Sequence, residues 1–108
     1  MSILISSLSA NGILAANAAS NVANMNTTNY KAIETAIVPS VDSTVDVTTT
    51  RSDEPAPLDL EGRMGSNVDV AKEFVDMTRA KTGFEAALHA ISTRDEMLND
   101  LMNTLTKK

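Results

Sequence analysis

From residue 66 to its end the chain contains no proline, and one row of positions stepping alternately by four and three is almost wholly apolar. The row runs Val70, Phe74, Met77, Lys81, Phe84, Leu88, Ile91, Asp95, Leu98, Met102 and Leu105, and nine of these eleven are apolar. A period of 3.5 residues marks a helix that buries a seam against another helix. Ala80, Ala87, Arg94 and Leu101 form a second row beside it, broadening the apolar face in places. Ser66-Asn67-Val68-Asp69 supplies capping residues, with Ser66 and Asp69 approximating a capping box. Acidic Asp69 and Glu73 near the start, with Lys107 and Lys108 at the end, suit the helix dipole. About 37 residues at 1.5 Å each predict a rod of about 55 Å, which is long for a chain of 108 residues. Lys81 and Asp95 interrupt the seam and have to reach water or a partner chain. Gly83 is open to two readings: a tolerated weak point costing ~1 kcal/mol of helix propensity, or a place where a neighbouring helix comes close.

Residues 3–27 give a parallel pattern. Met1, Leu4, Leu8, Asn11, Ala15, Ala18, Val22 and Met25 step by three and four, and seven of the eight are apolar. The stripe is narrow and largely alanine in its second half, so the helix it predicts is marginal alone and needs a partner. The C-terminal helix is the first candidate. Between them, residues 28–65 hold all three prolines (Pro39, Pro55, Pro57) and many Thr and Val. Ile33, Thr35 and Ile37 alternate with Glu34 and Ala36 up to Pro39, a short strand pattern; Val41, Val45 and Val47 suggest a second strand. Arg51 to Pro57 reads as an exposed loop, and Gly62 and Gly65 as the turn before the long helix. This segment has too few bulky side chains for a core of its own, so it is a hairpin or linker lying on something else, or is partly disordered.

The expected organisation is therefore one mainly α unit. A helix spans 1–27, an extended or β-rich linker 28–65 and a long helix 66–108. The terminal helices pair as an antiparallel coiled coil, joined by an irregular segment or short β-hairpin. Only three aromatics (Tyr30, Phe74, Phe84) are available, so Ala, Val, Leu, Ile and Met have to do the packing, as suits closely packed helices.

Chemistry is sparse. There is no cysteine, which removes disulfides and cysteine-rich metal sites. Net charge is −5 with no basic patch, so no nucleic-acid partner is expected. No stretch is read as reaching the ~20 apolar residues of a membrane span, and the N-terminus has no basic region or long apolar run typical of a cleaved secretory signal. His89, the one histidine, sits off the seam without marked partners and reads as a solvated or rim residue. The carboxylates at Asp53-Glu54, Asp59/Glu61 and Asp95-Glu96 match no EF-hand spacing, and solvated charge is the simpler account. Convergent catalytic groups are not found, and no cofactor, metal or enzymatic activity is expected.

Residues 20–31 read Ser-Asn-Val-Ala-Asn-Met-Asn-Thr-Thr-Asn-Tyr-Lys. With Asn21, Val22, Ala23, Asn24, Asn26, Thr27 and Tyr30 at matching positions, this resembles the N-terminal signature of bacterial flagellar rod and hook proteins. Asn29 stands where that family often has Gly, and Asn is the best non-glycine residue at positive φ. A second block, Ser66-Asn67-Val68-Asp69-Val70-Ala71, then Glu73-Phe74-Val75-Asp76-Met77 and Phe84-Glu85-Ala86, resembles the family's C-terminal signature, continued by Ile91, Asp95, Glu96, Met97 and Leu98. Lys81 and Thr82-Gly83 depart from the usual pattern, and the short middle is similar to that of proximal-rod members.

The resemblance implies a structural subunit of the flagellar axial assembly in the basal body, within the cell envelope. Such a subunit is exported without a cleaved signal by the flagellar export apparatus and polymerises through its terminal helices with copies of itself and with other rod and hook subunits. The assembly interface is then expected at Leu4, Leu8, Ala15, Ala18, Asn21, Val22 and Asn24 on the first helix. On the second it falls at Val70, Phe74, Met77, Phe84, Leu88, Ile91, Leu98, Met102 and Leu105. Asn21 and Asn24 are read as fixing register between subunits, the alternative being that they are solvated. Asn26, Thr27, Asn29 and Tyr30 are read as the signature turn. A competing reading is a small helical adaptor or export-chaperone-like protein that binds another flagellar component.

Overall fold

A computed structural model of the chain describes residues 2–58 and 61–107. Met1 of the N-terminal stripe, Asp59 of the carboxylate clusters and Lys108 of the basic terminus lie outside the described residues. The elements in chain order are helix α1 (Ser2–Ala23), strand β1 (Ile33–Pro39), a single 3-10 turn (Val41–Ser43), strand β2 (Val45–Arg51) and helix α2 (Val70–Thr106). The two helices run antiparallel, and the hairpin of β1 and β2 lies along α1. The body measures 79 × 24 × 14 Å with a radius of gyration of 19.7 Å, against about 13 Å for a compact domain of this length.

Helix α1 contains no charged side chain. It stops at Ala23, four residues short of the expected end, because asparagine competes for the backbone there. The Asn24 amide donates to the Ser20 carbonyl at 2.8 Å, and Thr27 Oγ1 donates to Asn24 Oδ1 at 3.0 Å. By length and composition α1 is apolar enough to cross a membrane, which corrects the expectation that no stretch approaches a span. Ala, Gly and Ser lower hydropathy less than a tally of bulky side chains suggests. In the fold α1 is packed instead between α2 and the hairpin.

The expected strand forms, but its alternation holds only from Ile33 to Ala36, since Ile37 is exposed and Val38 half-buried. Ile33 pairs with Arg51, Thr35 with Thr49, Ile37 with Val47 and Pro39 with Val45. The connecting turn places Asp42 and Ser43 at φ 60 and 58, and the Ser40 N–H closes it on the Thr44 carbonyl at 2.9 Å. Pro39 ends β1 where a donor is not needed. Gly62 takes φ 80 in the turn ahead of α2.

Helix α2 begins at Val70, later than the expected 66. Its N-cap is Asp69, whose carboxylate accepts from the Lys72 N–H at 3.3 Å, whereas Ser66 accepts from the Val68 N–H at 3.2 Å and caps nothing. The helix then runs unbroken for 37 residues.

The core is small. Among the described residues the buried apolar side chains are Ala10, Leu14, Ala18, Ala32, Ala80 and Ala87, five alanines and one leucine. On α2 the buried positions are Glu73, Ala80 and Ala87, spaced by seven. The helices therefore meet along the smaller row, one position before the row of large apolar residues. Lys81 and Asp95, the two interruptions of that larger row, are exposed to water as their charge demands.

Candidate assembly site

The polar centre of the molecule is the Asn21 carboxamide, which is fully buried. Its Nδ2 donates to the Ile33 carbonyl at 2.8 Å. Its Oδ1 accepts from the Ile33 N–H and from the Tyr30 hydroxyl, each at 2.9 Å. The same carboxamide neighbours the Glu73 carboxyl and acts to lower its pKa. A carboxamide has two donors and two acceptor lone pairs, so one residue ties α1 to the start of β1, the signature tyrosine and the first turn of α2. Because Ile33 meets Asn21 through both its N–H and its carbonyl, the amide stands in for a further strand at that edge of the hairpin.

Glu73 is 2 % exposed. Burial raises the pKa of its carboxyl above the ordinary value of 4.5; the Asn21 carboxamide and Lys72 act against that shift, and Asp76 and Asp69 add to it. Lys72 is held on the outer side of the helix by Asp76 at 3.0 Å, a hydrogen bond that raises the lysine's own pKa.

A second asparagine closes the base of the hairpin. Asn67 Oδ1 accepts from the Ala32 N–H at 2.6 Å, and its Nδ2 donates to the carbonyls of Ser52 and Glu54 at 3.2 and 3.0 Å. Its own N–H donates to the Tyr30 carbonyl at 3.2 Å, while the Asn29 N–H reaches the Met64 carbonyl at 2.9 Å. Asn29 takes φ 61, the left-handed conformation expected where glycine is common. Arg51 lies over the Tyr30 ring at 5.6 Å and donates to the Lys31 carbonyl at 2.9 Å. Thus Tyr30 joins the network, whereas Asn26 and Thr27 stay exposed in the turn.

The expected interface residues divide into two groups. Leu4, Leu8, Ala15, Val22, Asn24, Val70, Met77 and Ile91 are half-buried, and Ala18 is buried. Asn21, expected to bond between subunits, is fully buried and makes three side-chain hydrogen bonds within the chain. Phe74, Phe84, Leu88, Leu98, Met102 and Leu105 face outward, with Phe74 55 %, Met102 62 % and Leu105 66 % exposed. From Ser92 to Thr106 every residue of α2 is exposed, because α1 starts at Ser2, level with Ser92. There Leu4 lines an open apolar groove with Ala90, Met97, Leu98 and Leu101. His89 sits exposed at its rim.

Three contributors were not singled out from sequence: Glu73 as a buried group, Asn67 as a tie, and the Ala80/Ala87 row as the contact face. Their one legible signal was the seven-residue spacing of Glu73, Ala80 and Ala87. Gly83 resolves in favour of close approach, since a Cβ there would fall 2.5–2.8 Å from the Asn11 carboxamide.

Residues 61–104 match the family described as flagellar basal body rod FlgEFG protein C-terminal. No curated protein matches the chain. The matched stretch takes in Asn67, Glu73, Gly83 and most of the outward apolar row. That family is a structural component of the flagellum and not an enzyme family, with a place in the basal body. Over this C-terminal region the chain is similar to the flagellar basal body rod family.

Proposed function

We propose that the chain is a rod-type structural subunit of the bacterial flagellar axial assembly that polymerises through its terminal helices. Its partners on this reading are copies of itself and other rod and hook subunits, reached by way of the flagellar export apparatus. The observation that carries the reading is the outward apolar row. Phe74, Phe84, Leu88, Leu98, Met102 and Leu105 keep a heptad spacing along α2 while the contact with α1 uses alanine and glycine. A contiguous apolar stripe of this kind marks an interaction surface, and an unbroken helix carrying it is suited to packing into a neighbour.

The test is light scattering over a concentration series with hydrogen exchange alongside, on the natural chain and on Leu98→Glu/Met102→Glu. Both substituted residues are exposed and outside the contact with α1. Expected is mass growth with concentration in the natural chain, accompanied by new amide protection beyond Ser92. The variant should keep its helicity and stay monomeric. A natural chain that remains a monomer and forms a one-to-one complex with another flagellar component overturns polymerisation in favour of the adaptor reading.

A further inference from the structure

We propose that Asn21 with Glu73, and Asn11 with Gly83, form a two-point register key that holds α1 at one heptad position of α2 and so sets how much of α2 projects. Both contacts belong to one antiparallel register. The same register puts Leu14 level with Ala80 and Ser7 level with Ala87. Between the two points the facing rows are permissive, because Ala80 and Ala87 are alike and buried. Sliding α2 by one heptad, about 10 Å at 1.5 Å per residue, would bring one small side chain, Ala80, to Asn21 and another, Ala87, to Leu14, with Arg94 reaching the level of Ser7.

The key resists that slide at both ends. Glu73 is buried against a helix that carries no charged side chain, and the α1 group that favours its charged form is the buried Asn21 carboxamide. The charged groups near it, Asp69, Lys72 and Asp76, all lie on its own helix. Moved by one heptad, Glu73 would pass beyond the end of α1 at Ala23 and leave Asn21 facing Ala80, and a buried polar group that loses its partner is penalised. At the other end, the Asn11 carboxamide rests where Gly83 has no Cβ. It is anchored by donation to the Ser7 carbonyl at 2.8 Å, and the slide would set it against Ala90. One contact selects register by matching polar groups and the other by shape, as single buried polar residues do in paired helices.

The chain has no cysteine, so engineered pairs read register directly. Ser7→Cys with Ala87→Cys reports the observed register, and Ser7→Cys with Arg94→Cys reports the slipped one. Each pair is placed in the natural background and in Asn11→Ala/Glu73→Ala/Gly83→Ala, which leaves Asn21 on the hairpin. Oxidation is run on dilute monomer, so the answer is independent of whether the chain polymerises. The natural background should close only the first pair. The keyless background should close both, with the preference falling by about tenfold or more, the factor for leaving one buried polar group without its partner. An unchanged preference overturns the key and leaves register to the segments joining the hairpin. A second arm does not depend on the keyless chain folding: Asn11→Gly/Gly83→Asn should restore a preference that Gly83→Asn alone reduces. If the exchange does not restore it, the shape contact is refuted.

Discussion

Replacing Asn21 by alanine should cost this fold a large share of its stability. The substitution removes a carboxamide that is fully buried and leaves the Ile33 N–H, the Ile33 carbonyl and the Tyr30 hydroxyl without their partner. An unsatisfied buried polar group costs about 1–3 kcal/mol. Tyr30 is half-buried and can turn to water, so it is left out of the sum. The two backbone groups then total about 2–6 kcal/mol. A domain of this size has about 5–15 kcal/mol to lose, and one with five alanines and a leucine as its buried apolar set sits low in that range. At about 4–8 °C per kcal/mol, the melting midpoint should fall by roughly 20 °C or the cooperative transition should vanish. The assay is urea and thermal unfolding followed by far-ultraviolet circular dichroism at a concentration where the chain is monomeric. Tyr30→Phe is the graded control and should cost about 1 kcal/mol, the usual loss for one neutral hydrogen bond. Asn21→Asp keeps the acceptors but loses both donors and sets a second carboxylate beside Glu73, so at neutral pH it should behave like alanine and recover in acid. An Asn21→Ala protein within about 1 kcal/mol of the natural chain would refute the reasoning, since a loss that small equals a single hydrogen bond.

Two further outcomes are expected. Because burial raises the Glu73 pKa in the fold, the folded state binds that proton more tightly than the unfolded chain. The stabilising contribution is complete below the ordinary value of 4.5 and is lost as pH rises through the raised one. Glu73→Gln should therefore be more stable than the natural chain at neutral pH, with the difference closing in acid, as measured by urea unfolding across pH. Asn67→Ala should act locally, costing about 2 kcal/mol from the Ala32 N–H and the carbonyls it leaves. Hydrogen exchange should speed up at Ala32, Ser52 and the segment before α2, while the α1–α2 contact stays protected.

Much of this architecture was legible because periodicity reports the element and its approximate length. The heptad row of α2 predicted one long helix, and the alternation around Ile33–Ile37 predicted a strand ended by Pro39. The phase of the contact was not legible. Apolar bulk draws attention to Phe74, Phe84 and Leu88, but two helices come closest where side chains are smallest, along Ala80, Gly83 and Ala87. Burial of Glu73 was hidden for a related reason. An acid in the first turn of a helix suits the dipole wherever it points, and only the tertiary position of Asn21 shows that it points inward. Asn21 itself was assigned to contacts between subunits, because sequence cannot tell a donor needed by a neighbouring chain from one needed twelve residues away at Ile33. The helix ends differed because Asn24 and Asp69, each able to bond a nearby N–H or carbonyl, decide them locally.

The distribution of polar and apolar groups reverses that of an ordinary small domain, and the reversal has a physical consequence. Hydrogen bonds are directional and expensive to leave unmade inside a protein, so the buried amide of Asn21 and the half-buried one of Asn67 admit one arrangement of helices and hairpin. Apolar contact is non-directional and scales with area. This chain buries little of it internally while Phe74, Leu98, Met102 and Leu105 remain at least half exposed. Geometry is thus set within the chain by polar groups, and the apolar driving force is left for whatever packs outside. Substitutions at the asparagine junction should then destabilise the fold at every protein concentration. Substitutions in the outward row should alter only the concentration-dependent step, because association adds stability by mass action to a fold already specified.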